Sequence, residues 1–295
     1  IVPTFWISIS NVLSNIQDYG VPHCGPWLPV ALRVLFWVYL TCTFTTAVGQ
    51  YFFLFTGKPL TLQSITLAWI LPIFPVILCG TLASLISPSQ PPEQALPILI
   101  AGITFQGVGM LIAAFMYSAY LGRLMSQGLP SPNTRPAMFV AVGPPSFTGL
   151  ALLGIPQDLT RIYPKYASIT YIVNPAVISD IFRIIALSAA IFLWATSFWF
   201  FCIALVSVID GALGRRKGRD LGMSFHLVWW AFVSPNVGFT ICTIAIGKVL
   251  TSDGILWVGT AMAIVLVITW FYVSVMYTRA IDEDHDQRAE SWNLG

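Results

Sequence analysis

The stretch AMFVAVGPPSFTGLALLGI, residues 137–155, decides the fold. It carries no charge, and its length suits a helix crossing bilayer hydrocarbon, which takes about 20 apolar residues. Its middle holds Pro144 and Pro145, which remove two backbone N–H donors and clash with the preceding turn. Carbonyls freed this way must find donors in protein or in a wet cavity, because lipid supplies none. A membrane-length helix broken at its centre therefore belongs inside a bundle.

Composition agrees along the whole chain. Of 295 residues, 57% are hydrophobic and 9% charged, against about 25% charged in ordinary soluble domains. Mean hydropathy is +0.79. Apolar stretches at 1–16, 28–56, 67–87, 97–122, 137–155, 176–209, 224–247 and 255–278 give eight spans of an all-α polytopic membrane protein. They are continuously apolar rather than alternating, which excludes a β-barrel. Residues 1–281 form one transmembrane domain. DEDHDQRAE (282–290) opens an acidic tail, 282–295, expected to be solvated. The opening IVPTFWISIS lacks the basic region of a signal peptide and reads as a span cut short.

The basic residues fix an expected orientation. If the spans alternate, Lys58, Arg123, Arg135, Arg215, Arg216, Lys217, Arg219, Arg279 and Arg288 share one side, and Arg161, Lys165 and Lys248 the other. The first group is placed in the cytoplasm, with the C-terminus, by the positive-inside rule.

Proline segregates by span. Pro3, Pro72, Pro75, Pro144, Pro145 and Pro235 fall in spans one, three, five and seven, whereas the interiors of the even spans hold none beyond Pro29 and Pro97 at their starts. The repeat unit is thus a hairpin of one kinked inner helix and one straight outer helix. A ring of broken helices marks a central path for a polar solute, since half-helix ends carry partial charges suited to ions. GPPSFTG (143–149) and SPNVGF (234–239) are the most polar interruptions. Pro72, Pro75, Pro144, Pro145 and Pro235 mark the path. Ser146, Thr148, Ser234 and Asn236 supply neutral donors that solvate an anion without trapping it, and Phe147, Phe232 and Phe239 beside the breaks are constriction candidates.

Three charges fall inside spans: Arg33, and Asp180 with Arg183 one turn later. Each has two readings. Arg33 either snorkels to the headgroups or draws anions to the outer mouth; Asp180 and Arg183 form a local pair or an anion site. Gln106, Asn11 and Asn15 read as helix–helix contacts, and QGVGM (106–110) as close packing. Chemistry is thinly represented. His23, His226 and His285 have no metal-site spacing, and the five cysteines stand singly. No nucleophile, base or metal set is assembled, so we expect neither an enzyme nor a cofactor. A net charge of +2 gives no footprint for nucleic acid.

RVLFWVYL (33–40), WILPIFPVILCGTLAS (69–84), VGPPSFTGLALLG (142–154) and WWAFVSPNVGF (229–239) resemble the fungal malic acid transport proteins. These belong to the tellurite-resistance/dicarboxylate transporter family, which includes the plant guard-cell slow anion channel and fungal sulfite efflux pumps. The resemblance implies ten helices in five hairpins around a central pore, usually as homotrimers. The eight spans here then correspond to helices three to ten. In the channel members a phenylalanine of the ninth helix occludes the pore; by motif that position is Ser234 here, a departure that Phe232 offsets only if the helix is rotated. The expected function is transport of C4-dicarboxylate anions such as malate across the plasma membrane, with a sulfite exporter as the alternative. If flux is proton-linked, entry of singly protonated malate is the simpler route, because the inner spans offer no acid to relay protons.

Overall fold

A computed structural model describes residues 2–57, 65–166, 175–214 and 225–293, with side chains for all but 157–161, 163–166, 175–179 and 282–293. Of the orienting charges, Lys58, Arg215, Arg216, Lys217 and Arg219 lie outside the described residues, as do the side chains of Arg161, Lys165 and Arg288. The described residues contain helices and no strand. The helices are α1 (Val2–Asn15), α2 (Trp27–Thr56), α3 (Phe74–Ile86), α4 (Pro92–Gln127), α5 (Gly143–Tyr166), α6 (Pro175–Gly214), α7 (Ser234–Val249) and α8 (Asp253–Asn293).

Among the described residues, seven segments are long and apolar enough to cross a membrane, and the first predicted span is not among them. α1 has 14 residues, about 21 Å at the helical rise, and continues as a π-helical turn, Ile16–Gly20. The apolar part of α8 ends at Ile281, while its helical backbone runs through the acidic stretch to Asn293.

The odd–even division expected from proline is present as burial from the second predicted span onward, but not in α1, which carries Pro3 and buries only Ser10 and Leu13. In the apolar windows of Leu67–Ser89, Pro132–Pro156 and Leu227–Val249, 78%, 83% and 44% of residues are buried; in those of α2, α4, α6 and α8 the shares are 33%, 33%, 22% and 6%. These proline-bearing segments are therefore the inner ones.

Each of them also changes helix type at its break. A 3-10 lead, Leu67–Ile73, Pro132–Val142 or Leu227–Phe232, feeds α3, α5 or α7. Pro75, Pro144 and Pro235 each fall second in the α-helical half. The first turn of an α-helix has no internal use for its N–H groups, so proline costs least there.

Close packing needs small residues where α4 crosses α3. A Cβ on Gly109 would lie 2.6 Å from Ile77 Cγ1, and one on Gly102 would collide with Ala83 Cβ. Gly107, in the same QGVGM motif, has nothing within 4 Å. Gly109→Ala should lower stability by about 1–3 kcal/mol through overpacking. Gly107→Ala should leave it equal or raised, since alanine is the better helix former. Thermal unfolding of both variants in detergent checks this; equal losses would contradict it.

Candidate functional site

The breaks of α5 and α7 free specific carbonyls. The carbonyl of Ala141 would accept from residue 144 in a 3-10 helix or from residue 145 in an α-helix. Both are proline, so it has no helical donor in either register. Tyr117 of α4 supplies one: its hydroxyl donates to Ala141 O at 3.0 Å. Val142 O loses its 3-10 donor at Pro145 and accepts from the Ser146 hydroxyl at 2.8 Å, a proton shared with Gly143 O at 2.9 Å. Phe232 O loses its 3-10 donor at Pro235 and accepts from Asn236 Nδ2 at 2.8 Å.

The break before α3 is served from α2. Tyr51 donates to Trp69 O at 2.8 Å, the carbonyl that Pro72 would otherwise serve in 3-10 register. Tyr39 donates to Pro75 O at 2.8 Å. Between α3, α4 and α5 runs a buried chain of bonds centred on Gln106. Its Oε1 accepts from Gly80 N–H at 3.1 Å, and its Nε2 donates to Thr148 Oγ1 at 2.9 Å. Thr148 in turn donates to Pro144 O at 2.7 Å. On α6, Trp194 Nε1–H donates to Thr243 Oγ1 of α7 at 2.7 Å. Gln106 thus joins helices, as expected. Tyr39, Tyr51 and Tyr117 are not singled out by sequence, where each is one more aromatic in an apolar helix, and Trp194 falls in the run FLWATSFWFF (192–201), which by sequence suits lipid-facing or interfacial anchors.

These bonds decide which predicted residues have polar groups to spare. Ser146, Thr148 and Asn236 are buried; the two hydroxyls and one amide N–H of Asn236 donate to backbone carbonyls, and Asn236 Oδ1 has no hydrogen-bond partner. Ser234 is exposed. Pro75, Pro144, Pro145 and Pro235 are buried and Pro72 half-buried.

Three faces of α7 are covered. Gly238 meets the ring of Phe147 on α5, 2.6 Å from an ideal Cβ. Phe239 packs on Trp194 and Phe201 of α6, at centroid distances of 5.6 and 5.7 Å. Gly247 lies against Ile255 and Leu256 of α8. The remaining face carries Ser234, Ile241 and Lys248, all exposed. They recur every seven residues, two helical turns, and so align in one stripe.

The three phenylalanines separate on this frame. Phe147 is half-buried between inner helices, its ring edge-on to Phe74 at 5.8 Å. Phe232 packs against Phe139 and Trp229, at 5.3 and 5.9 Å. With Asn236 and Phe239 it lines a cavity of about 460 Å³ between α6, α7 and α8, away from the uncovered stripe.

The charges predicted within spans lie toward helix ends. α6 has 40 residues, about 60 Å, twice the hydrocarbon thickness of about 30 Å. That length lets Asp180 and Arg183, in its first three turns, sit at the membrane surface; both are exposed and they do not pair with each other. Arg33 is half-buried about two turns into α2. Arg135 is a better-tied cation. It donates to Asp210 Oδ2 and Ser207 O at 2.8 Å and to Pro130 O at 3.1 Å, fastening the lead of α5 to the end of α6. Among the described residues no three His, Cys, Asp or Glu cluster as metal ligands would.

Buried broken helices, each braced by an unbroken exposed partner, define a polytopic membrane protein of channel or transporter type. The chain belongs to the voltage-dependent anion channel (SLAC1) family, whose model matches residues 1–278. That is a family of anion channels and transporters, not of enzymes.

The chain is 33% identical over 279 residues to the malic acid transport protein of Schizosaccharomyces pombe, covering 95% of this chain and 61% of that protein. A putative malic acid transport protein of the same organism is 32% identical over 280 residues, with 95% and 62% covered. The sulfite efflux pump SSU1 of Trichophyton rubrum is 23% identical over 271 residues, with 92% and 68% covered. The chain thus spans less than two thirds of the malic acid transport proteins it matches. No solved structure matches it.

Tyr117→Phe should cost about 1–3 kcal/mol, the penalty for a buried carbonyl left without a donor. Pro145→Ala restores an N–H that can reach Ala141 O, so the same Tyr117 change should cost less than half as much in that background. A double-mutant cycle by chemical unfolding in detergent measures the coupling, and strictly additive losses would refute it.

Proposed function

We propose that the protein carries C4-dicarboxylate anions, malate first among them, across a membrane along the uncovered stripe of α7. The observation that carries this is the alternation of buried, proline-broken segments with exposed, unbroken ones, in a chain 33% identical to a malic acid transport protein. The α-helical halves α3, α5 and α7 begin beside the breaks, and helix N-termini bear partial positive charge favourable to an anion. Ser234 offers an uncommitted hydroxyl on the uncovered stripe. Phe147 is the constriction candidate best placed between inner helices, ahead of Phe232 and Phe239. Arg33 adds positive potential near one mouth.

The wider setting belongs to the same reading: helices three to ten of a ten-helix protomer, assembled as a homotrimer in the plasma membrane. Residues 1–281 form the transport domain and 282–295 a tail on the cytoplasmic side. A sulfite exporter is the second reading, favoured by the 23% identity to the sulfite efflux pump.

Uptake of labelled malate by proteoliposomes containing the intact protein tests both. With membrane potential and pH gradient imposed separately, we expect saturable malate flux that sulfite barely inhibits. Sulfite flux without malate flux would replace the first reading with the second.

A further inference from the structure

Lys248 lies in the last turn of α7, at the opposite end from the proline break and on the same stripe as Ser234 and Ile241. It is exposed, and it is carried by an inner helix, unlike Arg33 on α2 and Arg183 on α6. Its backbone is held by the tight turn into α8. Ser252 N–H donates to Gly247 O at 3.0 Å and Thr251 N–H to Lys248 O at 3.3 Å, with Thr251 at φ 48 in the left-handed region. The rest of the stripe is apolar or neutral: Val237 is half-buried, Ile241 exposed, and Ser234 carries only a hydroxyl. A fixed ammonium at one end of such a low-polarity strip concentrates anions at that end and leaves the strip itself free of a charge that would trap them.

We propose that Lys248 is the anion-collecting residue at the mouth of the path remote from the proline breaks. It acts on substrate capture, not on the rate of crossing. The proposal rests on the transport reading above and sharpens it by moving the capturing charge from Arg33 to Lys248.

The test is initial-rate uptake by proteoliposomes containing the intact protein as wild type, Lys248→Gln or Lys248→Arg, at low and high ionic strength, with potassium gluconate as the added salt. At low ionic strength Lys248→Gln should raise the malate KM about fifteenfold, roughly the effect of removing one charge some 5 Å from a dianion in a water-like dielectric. The saturating rate should stay unchanged and Lys248→Arg should match wild type. Salt should raise the wild-type KM toward that of Lys248→Gln, because exposed charges are screened over about 8 Å at physiological ionic strength. A purely structural role would lower the saturating rate or the folded yield and would not depend on salt. An unchanged KM in Lys248→Gln, or a salt response equal in all three proteins, overturns the proposal. The comparison uses whichever of malate and sulfite the wild type carries, so loss of the malate reading leaves this test intact.

Discussion

The inner segments leading into α3, α5 and α7 each contain backbone carbonyls that proline has deprived of a helical donor, in a region where lipid can supply none. Ala141 is the sharpest instance, since Pro144 and Pro145 remove its helical partner in both registers and Tyr117 replaces it from the neighbouring helix. That need ties each hairpin to the next, since the outer helices α2 and α4 deliver tyrosine hydroxyls to the inner segment that follows them. Glycines on α4 let it pack closely on α3 of its own hairpin. α8 is the least buried of the outer helices.

The same accounting shapes the site. Hydroxyls and amides beside the breaks resemble solute ligands in sequence, but the first claim on them comes from the backbone they interrupt. Ser146, Thr148 and Asn236 each donate to a carbonyl of their own helix. On the proposed path, what remains for an anion is one exposed serine, apolar neighbours, helix-end potential and a lysine at the end of the strip. A weakly binding path of that kind suits passage better than retention.

Much of this architecture is legible without coordinates. Charge-free runs of membrane length and the confinement of interior proline to odd spans carry the fold class and the inner–outer division, because both follow from backbone chemistry that does not depend on partners. The change of helix type at each break is implicit in the same residues. Of the donors from α2, α4 and α6, Gln106 is legible and the tyrosines and Trp194 are not. Tyr39, Tyr51 and Tyr117 differ from other aromatics of their helices only in orientation, which a single chain does not encode in its spacing. The directions of Phe232 and Phe239 were hidden for a related reason, since a 3-10 lead turns by a different angle per residue than an α-helix and shifts which side chains face inward.

The central claim is that the solute moves along the uncovered stripe of α7 and not through the apolar cavity on its other side. Single cysteines placed at Ser234, Ile241, Asn236 and Ile264, in a background with the native cysteines replaced by serine, test it with a membrane-impermeant anionic thiosulfonate. Ser234→Cys and Ile241→Cys should react, lose flux on reaction and be protected by malate. Asn236→Cys, in the cavity, and Ile264→Cys, on the exposed face of α8, should be inert. Rapid, malate-protected modification at Asn236→Cys with none at Ser234→Cys or Ile241→Cys would place the path on the opposite face and contradict the account.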